Sequence, residues 1–375
     1  MCIAGNPGLA AAKGSHAMTT NLNPTQLSRA TDLIAQHIAE GRHPGATLAV
    51  ARRGEVALHH VAGEARLGQK ASDDTLWLLY SNTKVITACA IWMLVEEGRL
   101  RFSDSVARHL PGFEAHGKGA ISLIHLLSHQ AGFPNAQVPE AAWENPALLR
   151  EVVCNFTLET TPGSIVHYHP AAAHWVAAAL IRAVTGEDHR DFIRTRIIQP
   201  LGLERELFVG LPPAEQHRAA DMHDPIGNGM VPRIPECGPA HRAAGVPGGG
   251  GYATSRAMAL FYQALIGHGP RLVSPRMLEY VTRNFTGDRP DLAQGFAMHR
   301  GLGPHSRGFS DSIRGLGAIA HPSTFGHGGV GSSYCWADPA SGTSFAFIAN
   351  TRAADEEWHA LRMDTLSNVV HAAIV

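Results

Sequence analysis

Lysine is almost missing from this chain: 375 residues contain four, Lys13, Lys70, Lys84 and Lys118, and arginine carries nearly all the other positive charge. A net charge of −1 leaves no basic excess to hold nucleic acid or an anionic membrane surface, so neither partner is expected. No apolar run approaches the ~20 residues of a membrane-crossing helix. The amino end shows no basic head, apolar stretch and cleavage site of a secretory signal, and cytoplasmic residence is the default expectation. The five cysteines, Cys2, Cys89, Cys154, Cys237 and Cys335, are odd in number, widely spaced and form no C-x-x-C pair. That argues against a disulfide framework and against a thiolate zinc site. No G-x-S-x-G elbow occurs, which disfavours an alpha/beta-hydrolase nucleophile. His125 and His129 are spaced like a zinc pair, but Leu126 stands where a metalloprotease needs its glutamate base. No metal or cofactor is expected.

Against that background, Ser81-Asn82-Thr83-Lys84 stands out, because Lys84 alone among the lysines has a serine three positions before it. Val85 to Glu97 follows without Gly or Pro, with an apolar stripe through Ile86, Ala90, Met93 and Leu94, and Gly98 supplies a stop. Ser81 is therefore expected to open a buried helix with Lys84 one turn on and on nearly the same side. A serine hydroxyl becomes a nucleophile when a neighbour takes its proton, and lysine does so once desolvation or a nearby cation lowers its pKa. Arginine stays protonated and cannot. Four letters alone also fit a helix cap followed by a solvated lysine.

With 45% apolar and 17% charged residues the chain can bury a large core. Residues 1–17 are expected to be an appended leader, since Gly14-Ser15-His16 resembles a tag scar and Met18 is a plausible start. Pro24 to Glu40 has helical periodicity, and strands are expected at Ala46 to Ala51 and Glu55 to Val61 around an Arg-Gly turn. A helical middle follows: the Ser81 helix, Ile121 to Ser128, Ala147 to Cys154, Ala171 to Thr185 and Arg190 to Ile198. Strand signals return near Gly295 to His299, Tyr334 to Ala337 and Thr343 to Ala349. A final helix spans about Asp355 to Ala373, with Trp358, Leu361, Leu366, Val369 and Val370 on its apolar side. The expected fold is α/β of the α+β type, a mostly antiparallel sheet built from both chain ends, flanked by helices, with an inserted helical lobe. The expectation is one catalytic domain, residues 18–375, with an α/β lobe (about 18–75 and 290–375) and a helical lobe (about 76–289). Gly210 to Gly251, rich in Pro, Gly and His, is expected to be a long loop beside the site.

Two further segments carry candidate chemistry. Pro162-Gly163 turns into Tyr168, flanked by His167 and His169, and a phenol near a lysine can relay a proton as the cation favours the phenolate. A half-buried tyrosine capping a helix is the structural alternative. In Phe325-Gly326-His327-Gly328-Gly329-Val330 the glycines let a substrate approach the backbone, and the N–H of Val330 can join that of Ser81 as an oxyanion hole. A plain hairpin turn is the alternative there.

Ser81-x-x-Lys84, Tyr168 after its Pro-Gly turn, and His327-Gly328-Gly329 resemble, in order and spacing, the three motifs of the serine beta-lactamase-like superfamily. The likeness is to its class C, D-alanyl-D-alanine carboxypeptidase and family VIII esterase branch. Leu126 to Gly132, Gly249 to Ser255 and Asn350-Thr351 look like further segments of that family, so the resemblance spans roughly residues 25 to 372. It implies Ser81 as acylated nucleophile, Lys84 as its base and Tyr168 as proton shuttle. His327, where lactamases have a lysine, would bind substrate with Gly328 and Gly329. Pro170 occupies the place of an asparagine that holds the lysine and the substrate amide in many members. That departure favours small-molecule esters, thioesters or acyl transfer over lactams and peptides, with His169 either partly filling the gap as a donor or standing as a surface histidine. The expected function is a carboxylesterase with a small-molecule acyl donor. Acyl transfer to an amine or alcohol, a D-amino-acid peptidase or beta-lactamase, and a non-catalytic binding homologue are the alternatives. Pocket shape is expected to come from Gly210 to Gly251 and Gly287 to Gly317.

Overall fold

The computed structural model describes residues 20–227, 229–312 and 315–375. The leader expected at 1–17 lies outside the described residues. Helix α1, Pro24–Ala39, starts at an Asn23 cap with Pro24 at its first position and turns Leu27, Ala30 and Ile34 inward. Strands β1, Gly45–Arg52, and β2, Glu55–Arg66, form a hairpin through Arg53 and Gly54, both at positive φ. The main sheet has seven strands. After β2 and β1 come Thr343–Ala349, Ser333–Asp338, Phe325–Gly329 and the short His305–Ser306, and the pair Gln69–Lys70 closes the other edge. Every pairing in it is antiparallel, and the strands come from both chain ends as the sequence suggests, an early block joined to a late block where β1 pairs with Thr343–Ala349.

Side chains alternate along these strands and sort into two unlike faces. Leu48, Val50, Tyr334, Trp336, Phe345 and Phe347 meet α1 and the C-terminal helix Glu356–His371. Ala49, Ala51, Cys335, Ala337 and Ala346 face the other way, where their small volume lets helix Ser255–Leu265 lie close to the sheet. Helix α2, Thr83–Glu96, is buried on all sides rather than along one stripe, because helices of the middle segment surround it. Cys89 sits inside it as a packing residue.

Four expectations change. Gly295 to His299 forms no strand, and the sheet edge is His305–Ser306 instead. Phe325 to Gly329, expected as a glycine-rich approach, is itself a strand in full register with Ser333–Asp338. In the last helix Leu361 points outward while Arg362 and Met363 are buried. Gly210 to Gly251 is not a plain loop: its described residues hold the hairpin His223–Ile226 with Gly229–Pro232, two short helices, and the start of strand Gly251–Ala253, which pairs with Trp77–Leu78 and Leu207–Val209. Among the described residues no helix is long and apolar enough to cross a membrane.

Candidate active site

Ser81 lies in a single 3-10 turn, Tyr80–Asn82, that runs directly into α2. Tyr80 takes φ +45°, a left-handed conformation that costs a bulky residue roughly 1–2 kcal/mol. Bonds on each side hold it there: Tyr80 Oη donates to Glu236 Oε1 at 3.0 Å, and Thr83 Oγ1 donates to the Tyr80 carbonyl at 2.7 Å. Asn82 Nδ2 donates to Ser333 Oγ at 2.8 Å, which fixes the turn against the sheet.

Lys84 is fully buried one helical turn on. Its Nζ lies 2.7 Å from the Pro170 carbonyl, 2.7 Å from the Gly248 carbonyl and 3.1 Å from Ser81 Oγ. Carbonyls only accept, so in a neutral amine both N–H groups point at them and the lone pair faces the serine hydroxyl. Burial first, and then the charge of Arg300, hold Lys84 well below the usual lysine range. The backbone of Pro170 thus meets the lysine that an asparagine side chain was expected to hold.

Tyr168 Oη donates to Ser81 Oγ at 2.7 Å. Its ring is packed by His129 at 4.6 Å between centroids and by the Arg300 guanidinium at 4.6 Å, and Lys84 Nζ lies 5.1 Å from its centre. The expected lowering of the phenol is overturned: burial pushes Tyr168 up to about 12, against a smaller opposite pull from its bond to Ser81 and from Arg300. It is a protonated donor at neutral pH, able to give a proton rather than hold an anion.

Arg300 and Asp291 escaped the sequence reading. Both are buried, and Arg300 Nη2 meets Asp291 Oδ2 at 2.5 Å. Asp291 Oδ1 also accepts the backbone N–H of Tyr168 at 3.1 Å, so one carboxylate fixes the arginine and the tyrosine together. Arg300 Nη1 lies 3.0 Å from His305 Nε2. No spacing rule marks these two, because they sit in an irregular segment whose approach to Tyr168 is purely tertiary.

His327 stacks on His305 at 4.3 Å and is 2% exposed. Its Nδ1 is 2.7 Å from the Gly328 carbonyl, so Nδ1 bears the hydrogen and Nε2, which has no partner among the described residues, is an acceptor. Burial, Lys84 and Arg300 hold it far below the usual histidine range, leaving the ring neutral.

His169 is a correction. Expected as a substrate donor or a surface group, it is fully buried, with Nε2 accepting the Phe133 N–H at 3.2 Å and Nδ1 2.7 Å from the His167 carbonyl. Both nitrogens serve the fold.

Ser81, Tyr168, His327, Gly328, Gly329 and Val330 line one cleft of about 460 Å³. Gly329 brings its strand against the serine turn, where a Cβ would stand 2.5 Å from the Leu79 carbonyl. Val330 follows at the mouth, 40% exposed. The opposite wall comes from Ala293 to Arg300, within the segment expected to shape the pocket, and from the first turns of the C-terminal helix. Among the described residues none of 210–247 lines this cleft, although that stretch was expected to shield it; Gly248 meets Lys84 through its carbonyl.

A serine, a buried amine and a phenol sharing hydrogen bonds at a helix start, beside an antiparallel strand, define the class of serine hydrolases built on S-x-x-K. The chain belongs to the beta-lactamase family, whose model matches residues 30–367. It is 28% identical over 313 residues to the esterase/beta-lactamase LipL of Mycobacterium tuberculosis, covering 74% of this chain and 70% of that protein. A penicillin-binding protein homologue from Caulobacter crescentus superposes with a TM-score of 0.80 at 27% identity, over 94% of this chain and 98% of that one. A family VIII carboxylesterase superposes with a TM-score of 0.78 at 26% identity, over 92% and 98%. The fold expectation holds, and the chain is an enzyme of the beta-lactamase-like serine hydrolase superfamily.

Proposed function

We propose that this chain is a carboxylesterase that forms an acyl-enzyme on Ser81 and acts on small-molecule esters without a carboxylate. In this reading Lys84 takes the serine proton, Tyr168 returns a proton to the departing alcohol, and the backbone N–H groups of Ser81 and Val330 hold the oxyanion. The observation that carries the substrate class is His327, a neutral buried imidazole that stands where a lysine would bring a positive charge. Lactams and D-alanyl peptides bring a carboxylate, and a neutral ring offers it no charge to pair with where a lysine would. The names of two relatives, an esterase/beta-lactamase and a family VIII carboxylesterase, support the same reading. The test compares kcat/KM for a p-nitrophenyl ester and for nitrocefin. The ester is expected to lead by roughly a hundredfold or more, and comparable values would overturn the proposal.

A further inference from the structure

Resting on the esterase reading and its oxyanion hole, we infer that Arg362 is a positioning residue for the reaction: it holds the turn that presents the Val330 N–H to the substrate oxygen. Arg362 lies on the C-terminal helix, is 4% exposed, and among the described residues meets no carboxylate. Its Nη2 makes both of its bonds, donating to the Gly331 carbonyl at 3.2 Å and to His359 Nδ1 at 2.9 Å, while Nε and Nη1 have no partner among the described residues. The guanidinium lies over the rings of Trp358 at 4.5 Å and Phe347 at 5.4 Å, which offsets part of the cost of burying a charge. Burial first, and then the charge of Arg42, bring Arg362 down to about 9, which leaves it charged at neutral pH. Burial and that charge keep His359, His43 and His37 below the usual histidine range, so the buried positive charge of this group sits on Arg362.

Packing alone does not call for such a group, because an apolar side chain of similar volume fills the space without the desolvation cost. What the guanidinium adds is a charged donor, and among the described residues the one carbonyl it reaches belongs to the turn Gly329-Val330-Gly331-Ser332. That turn is closed by the Ser332 N–H on the Gly329 carbonyl at 3.0 Å, with Gly331 at φ +62°. The Val330 side chain is 40% exposed, so anchorage comes from the glycines on either side. Gly329 passes against the Leu79 carbonyl, and the Gly331 carbonyl accepts the Ala353 N–H at 3.0 Å as well as Arg362. A Cβ on Gly331 would stand 2.6 Å from the Ala353 nitrogen, so the turn is seated tightly on the chain that leads into the C-terminal helix. Arg362 therefore fixes the residue that follows Val330, and its charge adds positive potential to the region where the oxyanion develops.

Arg362→Met roughly keeps the volume and removes the donor and the charge. For a p-nitrophenyl ester, kcat is expected to fall roughly ten- to a hundredfold with KM within about twofold. A trifluoromethyl ketone, which adds to Ser81 as a mimic of the tetrahedral intermediate, is expected to lose affinity in proportion to kcat/KM. The urea midpoint is expected to stay or to rise, because a buried charge without a counter-ion has been removed. An unchanged kcat overturns this inference alone. A lower midpoint or a failure to fold does the same by making Arg362 a structural residue, and so does a kcat loss that leaves the ketone's affinity untouched. A wild-type protein with no Ser81-dependent turnover of the ester overturns the esterase reading and this inference with it.

Discussion

Lys84 and Lys118 are both buried with the ammonium end among three oxygens, yet only one is placed to act as a base. Lys118 Nζ meets the carbonyls of Ala115, Cys154 and Phe156, which can only accept, so it must supply three N–H groups and stay charged. One of the three oxygens at Lys84 is a hydroxyl, which can donate. Lys84→Arg is accordingly expected to lose nearly as much acylation rate as Lys84→Ala, roughly a thousandfold, because a guanidinium cannot take the proton. A burst assay measures it, and retention of most of the wild-type rate in Lys84→Arg would show that charge alone matters at this position. The pH profile gives a second test. Groups facing Lys84 include Arg300, His129, His174 and His327, and of the other charges Arg300 is the one that depresses it. The acylation rate should rise with pH as Lys84 loses its proton, below the ordinary lysine range. Arg300→Met removes the depressing cation and exposes the Asp291 charge, so both effects strengthen Lys84's hold on its proton. The acid limb is expected to move to higher pH, and a limb that stays in place would remove Arg300 from the account. Ser81, Lys84 and Tyr168 were legible because motif spacing marks them; Arg300 was not, since only the fold brings it under the tyrosine ring.

At the scale of elements, the serine turn and the Phe325–Gly329 strand act as one unit. Asn82 Nδ2 and the Leu79 carbonyl both meet Ser333 Oγ, and Gly329 passes close enough that a methyl has no room. Gly329→Ala is expected to cost about 1–3 kcal/mol of stability through overpacking, and to lower kcat by displacing Val330. Urea denaturation paired with steady-state kinetics checks it, and an unchanged denaturation midpoint and kcat would show that the two segments yield independently. The glycine pattern alone suggested a substrate approach or a hairpin turn rather than a strand, because glycine has neither a strand propensity nor a face. The outward Leu361 has a related cause. Periodicity gives a helix but fixes its rotation only through neighbours, and here Met363, Leu366 and Val370 pack against the sheet while Arg362 is buried beside Trp358 and Phe347. Pro, Gly and His enrichment in Gly210 to Gly251 suggested a loop, whereas the segment is pinned by bonds such as Tyr252 Oη to the Glu236 carbonyl and Tyr80 to Glu236. Side-chain partners far away in sequence decide such a segment, and composition does not contain them.

On the whole-molecule scale the early and late strands meet in the middle of the sheet, and the site draws on segments far apart in sequence. Asn350 shows how the halves are joined: it accepts the Gly45 N–H at 2.9 Å and donates to the Glu64 carbonyl at 2.9 Å, linking β1, β2 and the Thr343–Ala349 strand. The antiparallel order was legible because strand signals lie at both ends of the sequence with helices between them. The enclosing wall was legible in part: Ala293 to Arg300 falls within the expected Gly287 to Gly317 stretch, whereas Glu356 to Met363 lines the cleft where the long loop was expected. All of this geometry converges on one hydroxyl, Ser81 Oγ, held by Tyr168 and Lys84 together. Intact mass spectrometry after mixing with an activated ester, followed by peptide mapping, tests that convergence most directly. The account predicts a mass increase of one acyl group located on Ser81 and absent from Ser81→Ala. Adduct formation that survives in Ser81→Ala, or ester turnover undiminished in that variant, would contradict it.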